Sequence, residues 1–494
     1  FLSPQNQRKD KWGGSLENRM RFLLCVIEAV RKRVGRNFPI EVRVSADELT
    51  DTGYHFDEGL EIFKAIDAQG MVDLLNVSAG HHEVDEASMY SSPTQFMPDG
   101  VNVHFAADVK KHVKTPVEAV GALTDPAMME ELLASGQCDV LQLARQTLAD
   151  PDLPVKAREG RDDEVTECLR CFNCFHNSSL NGVFYCAVNP VIGHETERKT
   201  DNTVRRQEKV LVVGGGVGGM QAALTASECG HEVILCEKTD ELGGTLRCER
   251  HVPFKQKLDR YLDTQARKVQ RDPHIEVRMN TEVTPELARE IAPDAIIAAT
   301  GARPAIPPVP GIDGKNVMGA EEVYHHPEQT GDKVVIMGGG LVGVELGIWL
   351  AHSGKDVTVV EMAPQAAGRP ADEVADGSAG SRINSFLEFK GDNLVHGVAL
   401  GVEMSHLPNM RIFVKTRALE VKENGLMVEG PEGTRLIEAN TVIYATGQRP
   451  QSEAALALKD CAPEFHMLGD CVTPKNIMQA TSIAYQVARD LGRV

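Results

Sequence analysis

At 494 residues, 42% of them hydrophobic and 5% aromatic, the chain has material for about three domains with buried cores. A formal net charge of -19 argues against a nucleic-acid or anionic-membrane surface, both of which need clustered positive charge, and no apolar run is long enough to cross a bilayer. The eleven cysteines are too few and too uneven for a secreted disulfide scaffold, and no signal peptide opens the chain, so a reducing cytoplasm is the expected location. The chain begins at Phe1 rather than Met, and Phe1-Leu2-Ser3-Pro4 reads as the interior of something longer.

The first third alternates between helix and strand. Leu16 to Val34 has helical periodicity, with Phe22, Leu23, Val26, Ile27 and Val30 on one face and Ser15 as its cap. Strands are predicted at Ile40 to Ser45, Val72 to Val77, Pro116 to Val120 and Asp139 to Leu143, with helices over Phe56 to Gln69, Asn102 to Val113 and Pro126 to Ser135. Regular βα alternation implies a parallel sheet covered by helices. A closed (β/α)8 barrel takes about 250 residues and eight strands, so four strands read as its C-terminal half. Working residues of such barrels sit where strands end: Arg43 within the first strand here, His81 and His82 after the second, Gly121 after the third and Arg145 after the fourth. A glycine and an arginine after the last two strands suit the phosphate tail of flavin mononucleotide (FMN).

Next comes Cys168-Leu-Arg-Cys171-Phe-Asn-Cys174, answered by Cys186. Three thiolates at two-residue gaps and a lone fourth suit an iron-sulfur cube, because a tight loop wraps one face and the fourth ligand closes the cage. Zinc is the alternative, although zinc modules usually present two matched Cys-x-x-Cys pairs. The other cysteines form no Cys-x-x-Cys pair, so a redox disulfide is not expected.

Two dinucleotide signatures follow. Lys209 to Val213 is a buried strand that runs into Gly214-Gly215-Gly216-Val217-Gly218-Gly219, with Glu237 at the end of the next strand. Gly214, Gly216 and Gly219 allow a tight turn and a close approach of pyrophosphate to a helix N-terminus, and the acid accepts from ribose hydroxyls. Lys333 to Met337 repeats the device with Gly338, Gly340 and Gly343, and Glu361 ends its second strand. A carboxylate there repels a 2'-phosphate, so NADH is expected in preference to NADPH. Ala299-Thr300-Gly301 and Ala445-Thr446-Gly447 frame this second motif, and each is followed by one residue and then Arg-Pro. With Gly469-Asp470 near the C-terminus, this resembles the two-domain flavoprotein reductases, whose NADH domain is inserted into an FAD domain; the resemblance implies that Asp470 holds the flavin ribityl chain. Residues 363–380, rich in Ala, Gly and Asp, read as a surface loop.

The opening segment carries a further resemblance. Phe1-Leu2-Ser3-Pro4, Asn6, Arg8, Asp10, Gly13-Gly14-Ser15-Leu16-Glu17-Asn18-Arg19 and Arg21-Phe22 are similar to the segment of the old yellow enzyme family that follows its substrate-binding loop. The order of barrel, cysteines and nucleotide domains resembles the 2,4-dienoyl-CoA reductase and trimethylamine dehydrogenase branch of that family. The resemblance implies flavin contacts at Arg43 and Arg145, a phosphate-loop glycine at Gly121, and an active-site histidine at His82 in Gly80-His81-His82-Glu83. Arg145 with Ala149-Asp150-Pro151 fits the family's Gly-Arg-x-x-x-Ala-Asp-Pro pattern, except that Ala144 stands in place of the glycine. The reductases' tyrosine proton donor lies upstream of Phe1-Leu2-Ser3-Pro4, outside this sequence.

The expected fold class is therefore α/β: half an FMN-binding barrel (1–160), an iron-sulfur segment (161–204), and an FAD domain (205–314 and 429–494) with an inserted NADH domain (315–428). The function implied is reduction of the C=C bond of an α,β-unsaturated carbonyl compound, with electrons passing from NADH through FAD and a [4Fe-4S] cluster to FMN. The partner is a small unsaturated substrate, with no nucleic acid and no membrane; a homo-oligomer stays open. An amine dehydrogenase and an NADH-oxidising electron-transfer module remain as rivals.

Overall fold

The computed structural model describes residues 1–201, 205–367 and 394–493, without the side chains of 180, 181 and 394. The loop expected over 363–380 therefore lies outside the described residues from 368 onward. The chain divides into two compact units, Phe1–Thr147 with Pro151–Asp162, and Leu148–Asp150 with Asp163–Val494.

In the first unit, β1 (Glu41–Ser45), β2 (Leu74–Ser78), β3 (Val117–Val120) and β4 (Val140–Gln142) form one parallel sheet in that order. The helix Leu16–Val34 begins at Ser15, whose hydroxyl accepts from the Asn18 amide, and ends at Gly35. Of its expected apolar stripe, Ile27 is buried, whereas Phe22 and Val26 are each 43% exposed and Phe22 stacks on Phe1 instead. What ties this helix inward is polar. Arg19, 5% exposed, donates through both terminal nitrogens to Glu58 of the helix Phe56–Gln69, at 2.8 Å each, a two-point contact that fixes orientation as well as distance.

The second unit holds two parallel sheets of the same design. The first runs β19 (Glu464–Met467), β8 (Ala295–Ala298), β5 (Lys209–Val213), β6 (Glu232–Cys236), β7 (Ile275–Arg278). Val210 and Val212 of β5 face one core, with the helix Val217–Glu228, and Leu211 and Val213 face another. A strand covered on both sides needs no polar alternation, which is why Lys-Val-Leu-Val-Val reads as continuous apolar sequence. The second sheet runs β10 (Val317–Gly319), β17 (Thr441–Tyr444), β11 (Lys333–Met337), β12 (Asp356–Val360), β13 (Met410–Phe413). Between β13 and β17, the strands β14 (Arg417–Lys422), β15 (Gly425–Gly430) and β16 (Gly433–Glu438) make an antiparallel meander.

Residue 428, where the insert is expected to end, falls inside β15, and β17 pairs with both β10 and β11, a strand order that local sequence does not carry. The two Ala-Thr-Gly-x-Arg-Pro segments also meet: β9 (Ala302–Pro304) pairs antiparallel with β18 (Gln448–Pro450), placing Arg303 opposite Arg449.

Candidate redox site

The two glycine turns are near copies. Gly214 and Gly338 adopt φ of 105° and 107°, values that L side chains rarely reach. A Cβ on Gly219 would lie 1.8 Å from the Gly214 carbonyl oxygen, and one on Gly343 2.0 Å from that of Gly338, so each helix packs onto its turn only through glycine. At Gly216 and Gly340 an added Cβ would meet nothing within 4 Å. These open positions immediately precede the helices Val217–Glu228 and Leu341–His352, where amides and helix dipole favour a phosphate. A dinucleotide therefore fits both turns.

The acids that follow are already engaged. Glu237 accepts from the Gly215 amide at 2.7 Å and from both the amide and hydroxyl of Thr239 at 2.9 Å. Glu361 accepts from the Gly339 amide at 2.7 Å and the Ala363 amide at 2.7 Å. Each carboxylate thus clamps its own turn, and any hydrogen bond to a ribose uses its remaining lone pairs. Gly243-Gly244, which sequence reading passed over, folds across the first turn, with Gly243 N donating to Gly215 O at 2.9 Å. Asp470 follows β19, beside the Gly218 side of the first turn, where Leu468 packs. Burial raises the pKa of its carboxyl, against the Lys475 amide that donates to it.

Between the two turns lies a buried ionic cluster that sequence reading also missed. Lys255 donates to Glu249 at 2.6 Å and to Glu345 at 2.5 Å, and His396 Nε2 lies 3.0 Å from the other Glu345 oxygen. All four side chains are 10% exposed or less. Burial would lower the lysine's pKa, but Glu345 and Glu249 hold it well above the ordinary value. Tyr324 covers the group, its ring 5.9 Å from the ammonium and stacked on Trp349.

The cysteine segment packs against the first nucleotide domain: Cys168, Cys171 and Cys186 contact the core that contains Val210 and Val212. Thr481 of the C-terminal helix donates to the Ala187 carbonyl at 2.9 Å. Burial raises the pKa of Cys186, with the nearby Cys168 and Cys171 adding to it, which places three of the sulfurs within electrostatic reach of one another. Cys174 lies in the first turn of the helix Asn173–Asn181. Among the described residues no three His, Cys, Asp or Glu side chains form a group that could hold a metal ion. The backbone suits an anion. Arg170 (φ 55°) and Phe172 (φ 58°) are left-handed on either side of Cys171, the turned-in amide arrangement common at iron-sulfur sites. The Arg170 amide and the Asn173 side-chain amide donate to Cys168 and Cys171, each at 3.4 Å. With Cys174 in the helix that follows, the thiolate donor set is of the kind that fits a [4Fe-4S] cluster.

In the first unit, a polar ladder crosses the parallel sheet. Asn76 donates to Glu118 and, at 3.2 Å, to Glu41, and Arg43 donates to Gln142 at 3.4 Å. Burial raises the pKa of Glu118, helped by Glu41 and opposed by the Asn76 hydrogen bond. Gly121 has φ of 134°, and a Cβ there would approach the buried Asn102 side chain to 3.0 Å. Arg145 donates to the Pro93 carbonyl at 2.8 Å. Of the two histidines after β2, His81 is taken up by its own loop, 3.3 Å from the Thr50 hydroxyl and accepting from the Glu83 amide at 2.9 Å. His82 is exposed.

Residues 1–164 match the NADH:flavin oxidoreductase / NADH oxidase family, and residues 208–482 match pyridine nucleotide-disulphide oxidoreductase. The chain is 34% identical to an NADH oxidase of Thermoanaerobacter brockii, over 99% of its own length and 72% of the relative's. It belongs to the NADH:flavin oxidoreductase / NADH oxidase family. This flavin oxidoreductase is also 30% identical to a cinnamate reductase of Clostridium sporogenes, over 98% of this chain and 71% of that one. A solved 2-naphthoyl-CoA reductase shares its fold, with a TM-score of 0.87 and 30% identity over 99% of this chain and 71% of that one. The family's cofactors are FMN for the barrel, FAD and a nicotinamide dinucleotide for the second unit, and a [4Fe-4S] cluster. Among the described residues no helix is long and apolar enough to cross a membrane.

Proposed function

We propose that this flavin oxidoreductase reduces the C=C bond of an α,β-unsaturated carbonyl compound at the expense of NADH. The observation that carries the reading is the pair of matched dinucleotide turns in one unit, with Cys168, Cys171 and Cys186 packed against the core of the first. Relatives that act as cinnamate reductase and 2-naphthoyl-CoA reductase support the substrate class. When bound, the cofactors supply hydride acceptance from NADH, single-electron relay and hydride delivery to the far carbon of the conjugated system.

The chain's own residues then divide the work. Gly338, Gly340, Gly343 and Glu361 hold NADH, and Gly214, Gly216, Gly219, Glu237 and Asp470 hold FAD. Cys168, Cys171, Cys174 and Cys186 ligate the cluster. Arg43, Gly121 and Arg145 hold FMN, the arginines by charge and the glycine by leaving room for a phosphate. His82, exposed after β2, donates a hydrogen bond to the substrate carbonyl or relays the proton that completes the reduction.

Anaerobic purification followed by iron and flavin analysis, and NADH oxidation against a panel of enoates, enoyl thioesters, enones and methylated amines, tests the proposal. Enone-dependent NADH oxidation supports it. Amine-dependent dye reduction without alkene reduction would transfer the chain to the amine dehydrogenases, and NADH-dye activity alone would leave an electron-transfer module. Unchanged alkene reduction in His82→Ala would remove the histidine from the mechanism.

A further inference from the structure

One face of the first unit's sheet brings two glutamates together. The register sets Arg43 of β1 beside Asn76 of β2, and Asn76 beside Glu118 of β3. Glu41, two residues before Arg43, shares their side because alternate residues of a strand point the same way. Glu41 and Glu118 therefore meet from strands that are not neighbours, over Asn76 on the strand between them. The Asn76 side-chain amide donates to Glu118 and, at 3.2 Å, to Glu41, and the two glutamates also hydrogen-bond each other. An ionised carboxylate only accepts, so a bond between two carboxyl groups requires a proton on one of them.

Burial decides which one. Glu118 is 5% exposed and Asn76 0%, whereas Glu41, at the start of β1, is exposed. Taking a charge out of water is costly, so the buried carboxyl is the one that stays neutral. The pKa of Glu118 moves in that direction: burial raises it, the Asn76 hydrogen bond opposes, the hydrogen bond to Glu41 and the charge of Glu41 raise it further, and the charge of Arg43 opposes. Gln142 of β4 completes the surroundings, its amide donating to Glu41 and its side-chain oxygen accepting from Arg43, each at 3.4 Å.

We infer that Glu118 is a carboxylic acid whose proton is shared with Glu41 over Asn76, which makes this face of the sheet a pH-sensitive joint between β1 and β3. With the proton in place the pair carries one negative charge, and Asn76 holds both members. When the Glu118 O–H bond breaks and the proton passes to water, two carboxylates face each other under one amide, and the buried one has lost its partner. The folded chain holds this proton more tightly than the unfolded chain. Its contribution to stability is therefore fully present below the unfolded pKa of about 4.5 and is lost as pH rises through the higher folded value.

The test is the infrared difference spectrum between wild-type protein and Glu118→Gln, recorded as a function of pH. Wild type should show the C=O stretch of a protonated carboxyl, shifted in D2O and missing from the variant, and the band should vanish with a midpoint above the ordinary 4.5. The stability of wild type relative to Glu118→Gln should fall through the same midpoint as pH rises. Glu41→Gln, at the exposed partner, should move that midpoint down, because it removes the neighbouring charge. Absence of the band, or a midpoint at or below 4.5, overturns the inference. If Glu118→Gln does not fold, Glu41→Gln decides against wild type: a lowered midpoint supports the shared proton and an unmoved one overturns it.

Discussion

Lys255 lies 2.5 Å from Glu345 Oε2, joining a turn that follows the first dinucleotide motif to the helix that starts in the second. Because Glu345 sits on the helix Leu341–His352, directly behind Gly340 and Gly343, the contact fixes the second nucleotide turn relative to the first nucleotide domain. Breaking a buried pair from one side leaves the other charge uncompensated. Glu345→Gln should destabilise the second unit by about 3–5 kcal/mol, measured by denaturant unfolding. A loss under 1 kcal/mol would show that Glu249 alone satisfies the lysine.

The same pair gives a pH signature. Burial would raise the pKa of Glu345, but Lys255 and the His396 hydrogen bond more than reverse this and bring it down to about 2. A carboxylate whose folded pKa lies below its unfolded value stabilises fully above the unfolded pKa and loses that contribution as pH falls toward the folded one. Wild-type stability should therefore drop between about pH 4.5 and pH 2 more steeply than that of Glu345→Gln. Parallel profiles would remove Glu345 from the acid transition.

The two glycine turns can be separated experimentally. Gly219→Ala and Gly343→Ala each place a Cβ within 2.0 Å of a carbonyl oxygen, which forces the helix off its turn. Gly219→Ala should be purified with little FAD. Gly343→Ala should retain FAD yet lose NADH oxidation, with the flavin still reducible by dithionite. Equal FAD loss in both variants would contradict the division into FAD and NADH turns.

Coenzyme choice should rest on Glu361. Replacing it by Arg removes a carboxylate that opposes a 2'-phosphate and adds a cation that attracts one. The NADPH to NADH ratio of kcat/KM should rise by roughly 10- to 100-fold, the equivalent of one charge-assisted hydrogen bond of about 1.5–3 kcal/mol. Part of the loss with NADH will come from the turn itself, because Glu361 also accepts from Gly339 and Ala363. An unchanged ratio would place discrimination elsewhere.

Gly121→Ala tests the half-barrel. At φ of 134° with Asn102 3.0 Å from the added carbon, the substitution costs about 1–3 kcal/mol in backbone strain and narrows the expected phosphate position. FMN content should fall while FAD and iron stay at wild-type levels, as read by chromatography of the released flavins. Full FMN occupancy would move the phosphate site away from Gly121.

Strands, helices and both glycine turns were legible because their signals are local. A strand running into Gly-Gly-Gly and then a small-residue helix has few other ways to fold, and Leu16–Val34 and Phe56–Gln69 begin and end where periodicity and flanking residues place them. The four-cysteine segment stands out for the same reason, since its spacing is read directly from the sequence. What spacing does not carry is partnership across the chain. Lys255 reads as one more surface lysine until Glu249, Glu345 and His396 enclose it. The exposed Phe22 and Val26 err in the other direction, because an apolar stripe states what a helix can bury, not what is packed on it. Residue types and local spacing determined which cofactors this chain is built for. Tertiary packing decided which charges meet, as around Lys255, because the electrostatic effect of a charge depends on its burial and on its neighbours in space rather than in sequence.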